Sequence, residues 1–418
     1  MKHILITTFG TRGDVQPYVA LGLGLQRAGL RVTLVTSPDL ASAFTDYGVP
    51  LRPVAAPFLE LADTKAGRKA LAGGKSFSLM FKIMPMLRQF MDDQWAIARE
   101  GVDAVVFHPK SLAGPHIAEA LGVPAFLAMA APAFSPTTAF PNPLLVTRDL
   151  GPTFNKLSYG LMSRLSTASY TGVINRFRRD AFGLGPAAAR QLTGESAPKL
   201  YAYSPALLPR PADWGDDTSA TGFWFLDGPA DWAPPADLER FLAAGALPVY
   251  IGFGSMASVD PDRMGRIVLG AVRQAGVRAV VARGGDGLRI AGDHPDVHVL
   301  DGAPHDWLFP RMAAVVHHGG AGTTGAGLRA GRPTLVCPFF GDQPFWGGRV
   351  ATVGAGPRPI PQRQLSVDNL GAALRALVTD PGLSARAAEL GAAIRAEDGV
   401  GAAVATIVAQ VAPVARAA

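Results

Sequence analysis

The chain has a single cysteine, Cys337, so no internal disulfide can form, and a reducing compartment is expected. Cys337 follows the apolar run Thr334-Leu335-Val336 and reads as a small packed hydrophobe. Paired Cys and His spacings of the kind that hold zinc are missing, and no metal site is expected. Charge is also scarce, at 17% of 418 residues against 48% hydrophobic, which excludes intrinsic disorder and leaves material for two or three cores. Lys plus Arg outnumber Asp plus Glu by 39 to 33, but the resulting +6 is spread along the chain. Without a dense basic run interleaved with aromatics, nucleic acid is not an expected partner, whereas anionic ligands and a weak peripheral contact with a negative membrane surface stay compatible. No apolar run reaches eighteen residues, and the opening Met1–Ile6 is too short for a secretory core before Gly10–Asp14 breaks it. A soluble, cytoplasmic protein is therefore expected.

What the sequence does contain is an alternation of short apolar runs with helical patterns. His3–Thr8 reads as a strand, Val15–Arg27 as a helix stopped by Gly29, and Arg31–Thr36 as the next strand. Val102–Phe107 and Ala125–Met129 read as strands around a helix at Leu112–Leu121. The rhythm restarts with the strand Pro248–Phe253 and a helix at Pro261–Ala275, then strands at Val277–Ala282, Val297–Leu300, Ala313–His317 and Thr334–Val336. Strands alternating with helices predict parallel sheets covered on both faces. Ser204–Pro235, rich in Pro, Gly, Asp and Trp, reads as a linker and cleft edge rather than core. The organisation expected is a Rossmann-like domain at 1–205, a linker region at 206–245 and a second Rossmann-like domain at 246–390, with a ligand cleft between their carboxyl edges. The Ala- and Val-rich tail from Gly399 is interrupted by Gln410 and Pro413 and reads as a docking helix.

Segments 56–100 and 132–200 depart from this rhythm. They are rich in Phe, Met and Leu, at positions such as Phe77, Phe81, Met84, Leu87, Phe90 and Met91. That pattern suits an amphipathic helix on the domain and equally an adaptable wall of a lipophilic pocket. Phe81, Met84, Phe134 and Phe140, with Gly13 at the nearby loop, are the candidates for contact with an apolar ligand.

Three loops carry the chemistry. In Gly10-Thr11-Arg12-Gly13-Asp14 the glycines permit close approach to a ligand, and Asp14 reads either as a helix cap or as a carboxylate able to take a proton from a hydroxyl. His317-His318-Gly319-Gly320-Ala321-Gly322-Thr323-Thr324 opens a helix with small residues and imidazoles, which suits a diphosphate. Gly320–Gly325 matches the dinucleotide pattern, with Asp342 near the distance of a ribose-binding acid, but it follows the fourth strand of its half and so argues against a nicotinamide site. In Pro338–Gly347 a carboxylate and an amide, Asp342 and Gln343, stand side by side among aromatics and suit sugar hydroxyls, a Pro-rich turn being the plain alternative.

Together these blocks resemble the GT-B glycosyltransferases of the UDP-glycosyltransferase superfamily, and within it the sterol 3-beta-glucosyltransferases and related bacterial natural-product enzymes. The resemblance extends to Gly10–Pro17, Gly114–Pro124, Pro136–Pro141 and Pro304–Pro310, in the same order across nearly the whole chain. It implies an α/β fold of two Rossmann-like domains, the first binding the acceptor, the second the nucleotide sugar, with the tail from about 391 to 418 packing back on the first. It implies inverting transfer of a sugar, glucose from UDP-glucose in the first instance, to a hydroxyl of a lipophilic acceptor such as a sterol or triterpenoid. No metal or resident cofactor is implied.

By the same resemblance Asp14 stands at the position of the base, His318 with Gly320, Gly322 and Thr323 at the diphosphate, Ser255 at a second phosphate contact, Asp342 and Gln343 at the sugar, and His305 beside the nucleobase. Two positions depart from the pattern. Ala326 stands where plant members carry a ribose-binding glutamate, which leaves UDP over TDP an expectation. His108 stands where they carry an aspartate, suggesting either that the usual histidine base and aspartate partner are exchanged here for Asp14 and His108, or that His108 is a cleft histidine that binds the acceptor or nothing. A TDP-sugar-dependent antibiotic or polyketide glycosyltransferase is the alternative, followed by a nucleotide-sugar epimerase and a non-catalytic lipophile-binding protein.

Overall fold

The computed structural model describes residues 1–57, 76–145, 148–168, 170–254, 260–284 and 288–411, with the side chains of 76–82 left aside. Among them lie two parallel sheets. In the first, β1 (His3–Thr7), β2 (Arg31–Thr36), β3 (Leu51–Pro53), β4 (Ala104–Phe107), β5 (Ala125–Met129), β6 (Lys199–Tyr201) and β7 (Thr218–Ala220) are ordered β3-β2-β1-β4-β5-β6-β7. The second is built from β8 (Val249–Gly252), β9 (Ala279–Ala282), β10 (Val297–Leu300), β11 (Ala314–His317) and β12 (Thr334–Val336), in the order β10-β9-β8-β11-β12. Every residue of β1, β4, β8, β9 and β11 is buried, as expected of parallel strands with both faces covered.

Each sheet changes direction once, and this positions the site. The chain runs outward from β1 through β2 and β3, then returns to add β4 on the other side of β1, with Thr7 opposite Phe107. In the second sheet β11 returns beside β8, with His317 opposite Gly252. At such reversals the loops leaving two neighbouring strands diverge to opposite faces and open a crevice at the carboxyl edge. The Gly10–Asp14 loop and the loop after Phe107 therefore share one crevice, and Gly254 and His318 share the other.

The helices follow the sequence closely. α1 (Arg12–Arg27) begins at Thr11, buries Val15, Val19, Leu21 and Leu25, and lies against the first sheet. A helix over Ser76–Ala98 accounts for the Met- and Phe-rich segment, burying Leu87, Phe90 and Met91. The stretch read as linker differs from expectation. It contains β7 of the first sheet and buries Leu207, Leu208, Trp214, Phe223 and Trp224, so the first sheet continues past residue 205. Pro- and Gly-rich composition concealed a three-residue edge strand and the aromatic anchors around it.

The end of the chain crosses between the two units. A helix at Pro381–Ala396 packs on the second, while the last helix, Gly399–Val411, buries Ala403, Ile407 and Val411 against α1. Gly24 on α1 leaves room for this contact, because a Cβ there would lie 3.1 Å from Val404 and closer still to Val400. The crossing falls at Glu397–Asp398 rather than near 391, and Glu397 Oε1 accepts a hydrogen bond of 2.6 Å from Ser204 Oγ. The units also meet through Phe140 and Phe345, with ring centroids 5.5 Å apart, and through Tyr203 and Trp346 at 5.9 Å.

Candidate active site

Asp14 occupies the third position of α1, and its Oδ2 accepts hydrogen bonds from the Thr11 N–H at 2.7 Å and the Thr11 hydroxyl at 3.0 Å. It thus supplies one half of a capping box whose cap residue is Thr11, which corrects the reading of Asp14 as the cap itself. The same Oδ2 accepts from Lys110 Nζ at 2.8 Å. Oδ1 faces His108 Nε2 at 3.7 Å, beyond hydrogen-bond reach, and accepts no hydrogen bond from the described residues. Gly10, at φ +135°, permits this crowding, since a Cβ there would fall on the Asp14 carboxylate and 2.8 Å from Lys110 Nζ.

The charge state follows from the surroundings. Burial acts to raise the Asp14 carboxyl, but the Lys110 charge, then His108 and the Lys110 and Thr11 hydrogen bonds, hold it below the usual carboxylate range. Burial pushes His108 down to about 4, against the pull of Asp14, so it is neutral at physiological pH. Its Nδ1 accepts the Lys110 N–H at 3.1 Å, which assigns the ring proton to Nε2, toward Asp14. His108 is therefore a neutral ring whose Nε2–H faces Asp14 without a hydrogen bond to it. Nothing in the sequence alone singles out Lys110. The signal that points to it is topological: it lies two residues beyond His108, on the loop that shares the crevice with Asp14. That loop also carries Leu112 at φ 52°, a strained conformation for a residue other than glycine.

Across the cleft, His318 is enclosed by glycines. A Cβ on Gly254 would lie 2.9 Å from the ring and one on Gly320 2.7 Å from its Nε2. Its Nδ1 is buried without a hydrogen-bond partner, and burial lowers the ring to about 4. Gly320 caps α2 (Ala321–Arg329), so the N–H groups of Ala321, Gly322 and Thr323 have no partners within the helix. Gly322 is exposed, with open space where a side chain would stand, whereas the Thr324 hydroxyl is spent on Gly320 O at 2.9 Å. An open helix N-terminus beside a neutral imidazole is a setting for an anion such as a diphosphate. Adjacent His317 is committed elsewhere, its Nδ1 accepting the Gly319 N–H at 2.9 Å.

Asp342 and Gln343 follow β12 at the same edge. Asp342 Oδ2 accepts from the Trp346 indole at 2.8 Å. Burial raises the Asp342 carboxyl, the indole opposes this, and the negative charge of Asp14 adds to the rise. Gln343 Oε1 accepts from the N–H groups of Phe339 at 2.7 Å and Phe340 at 3.2 Å, which leaves its NH2 for a ligand. His305 stacks on Phe309 at 4.2 Å and is lowered to about 4 by burial, then by the charge of Arg12. Asp14 acts on Asp342 and Arg12 on His305 across the boundary, so the Gly10–Asp14 loop of the first unit faces these residues of the second. Among the described residues no group of three or more His, Cys, Asp or Glu is arranged to hold a metal ion.

The apolar candidates divide. Gly13 is exposed at the start of α1, while Met84 and Phe134 are half-buried against the first core. Phe140 is only 8% exposed, held between Trp214 and Phe345, so it backs the cleft wall instead of forming its open surface. Ser255 and the side chain of Phe81 lie outside the described residues.

Two Rossmann-like units with facing carboxyl edges, one presenting a carboxylate and the other an anion-receptive helix end, define the GT-B class of glycosyltransferase architecture. The kitacinnamycin glycosyltransferase shares the fold with a TM-score of 0.73 at 21% identity, covering 98% of this chain and 99% of that one. The glycosyltransferase VinC, solved in complex with DTDP, does so at 0.67 and 21%, with the same coverage. Residues 4–140 match the glycosyltransferase family 28 N-terminal domain, and residues 267–410 the erythromycin biosynthesis protein CIII-like C-terminal domain. Sterol 3-beta-glucosyltransferase UGT80B1 of Arabidopsis thaliana is 37% identical over 414 residues, 96% of this chain and 67% of that protein. UGT80A2 of the same plant is 37% identical over 416 residues, 96% of this chain and 64% of its own length. The sterol 3-beta-glucosyltransferase of Neosartorya fischeri is 37% identical over 423 residues, 97% of this chain but 29% of its own length. The chain therefore spans about two thirds of these plant relatives and under a third of the fungal one. The chain belongs to the glycosyltransferase family that includes the sterol 3-beta-glucosyltransferases.

Proposed function

We propose that the chain is an inverting glycosyltransferase that moves glucose from UDP-glucose to a hydroxyl of a lipophilic alcohol such as a sterol or triterpenoid. The observation that carries this reading is the opposition of Asp14, with Oδ1 unspent, to the His318 and Gly320–Thr323 helix end across one cleft. The acceptor oxygen attacks the anomeric carbon as the bond to the diphosphate breaks. The bonding pair leaves on the diphosphate, and the hydroxyl proton passes to Asp14 Oδ1. A carboxylate held below its usual range is a weak base for an alcohol. Most of the rate then comes from alignment and from stabilising the departing charge at the helix end.

In this scheme Lys110 and Thr11 fix the carboxylate while neutral His108 faces its other oxygen, Asp342 and the Gln343 amide hold sugar hydroxyls, and His305 borders the nucleobase. Diphosphate charge is met by His318 and backbone N–H groups, so the reading calls for neither a metal ion nor a resident cofactor. Support for a sterol-like acceptor comes from the family relationship and from the Met- and Phe-rich segments beside the cleft.

The test is mass spectrometry of the protein incubated with UDP-glucose and a panel of sterols, triterpenoids, flavonoids and macrolides. A hexose-sized mass gain on a lipophilic alcohol supports the reading. Product with TDP-sugars alone replaces the donor assignment, and silence with every donor and acceptor overturns the proposal.

A further inference from the structure

The helix at Pro152–Ala168 carries an apolar stripe that no described residue covers. Leu150, just before it, and Phe154, Leu157, Leu161 and Leu165 are 55%, 63%, 61%, 52% and 57% exposed. Their spacing of four, three, four and four residues puts them on one face, while Asn155, Ser158 and Tyr159 on another face are buried. Four exposed large side chains on one helix, with Leu150 just ahead of it, are more than scattered surface hydrophobicity and mark a contact surface.

The charge around it identifies the contact. Between Asp149 and Asp180 the chain has no acidic residue, and the helix itself carries the exposed cations Lys156 and Arg164. The pattern is that of a helix lying in a membrane interface, with its leucines and phenylalanine among acyl chains and its cations at anionic headgroups. Among the described residues no helix is long and apolar enough to cross a membrane, so the contact is one of lying upon it.

The buried face ties the helix to the cleft. Asn155 Nδ2 donates to Thr138 O at 2.9 Å, and Ser158 Oγ accepts the Asn142 N–H at 2.8 Å. Both partners belong to the loop that carries Phe134 and Phe140. We propose that this helix docks the protein on an anionic lipid surface and thereby sets the acceptor cleft beside the bilayer from which a lipophilic alcohol is drawn. The second half of this inference rests on the proposed function; the docking itself does not.

The experiment is co-sedimentation of the full chain with vesicles of phosphatidylcholine alone or with phosphatidylglycerol added, without donor or acceptor. Binding to the anionic vesicles that weakens with salt is expected. The Phe154→Ser/Leu161→Ser variant, altered only at exposed positions, should bind at least about tenfold more weakly. Lys156→Glu/Arg164→Glu should lose the preference for anionic vesicles. Transfer to a detergent-dispersed acceptor should be unchanged in both variants, which separates docking from catalysis. Failure to bind anionic vesicles, or equal binding by the serine variant, overturns the proposal. So does a wild-type dimer that the serine variant converts to monomer in sedimentation velocity, which would assign the stripe to a second copy of the chain.

Discussion

Lys110 Nζ stands 2.8 Å from Asp14 Oδ2, although 96 residues separate the two in sequence. The pairing exists because β1 and β4 are neighbours at the reversal of the first sheet, so the loops that leave them open into one crevice. It gives the carboxylate an asymmetry. Oδ2 is held by Thr11 and Lys110, and Oδ1 is turned toward His108 and the cleft.

Lys110→Met removes the strongest charge holding the Asp14 carboxyl down. Burial then dominates and the carboxyl titrates at higher pH. The acidic limb of the pH profile of kcat/KM, along which activity falls as Asp14 is protonated, should move upward in the variant. An unmoved limb would remove Lys110 from the control of the base.

His318→Ala should weaken UDP binding about tenfold or more, the usual cost of losing a hydrogen bond to a charged group. Isothermal titration with UDP measures this directly. The neutral ring, lowered to about 4, means that the wild-type contact does not require a charged imidazole at neutral pH.

Asp342→Asn should leave affinity for UDP within about twofold while lowering kcat/KM for UDP-glucose by about tenfold or more. Loss of UDP affinity instead would place Asp342 on the nucleotide and not on the sugar.

Ile407 is fully buried against α1, in the core of the first unit. Ile407→Ala should lower the unfolding free energy by about 2–5 kcal/mol, read from denaturant unfolding. A cost near zero would mean that the last helix does not stabilise the fold.

Much of this was legible in the sequence. Apolar runs such as His3–Thr7 and Ala314–His317 mark buried parallel strands because both faces must be covered, and glycine-bearing loops after them mark where a ligand approaches. What stayed hidden depends on adjacency. Lys110 has no local signature; only the order of strands puts it on Asp14. Trp214, Phe223 and Trp224 sat in a Pro- and Gly-rich stretch whose short edge strand has no periodicity to read. The late crossing at Glu397 is fixed by its bond to Ser204, a contact between residues 193 apart in sequence.

The most direct test compares Asp14→Asn with the wild type in two assays, turnover of UDP-glucose with a lipophilic acceptor and titration with UDP. The substitution keeps the shape of the side chain and its hydrogen bond from Thr11 but removes the charge proposed to take the proton. Turnover should fall by about a hundredfold or more with UDP affinity retained. Turnover within a few fold of the wild type would contradict Asp14 as the base and, with it, the assignment of the first crevice to acceptor activation.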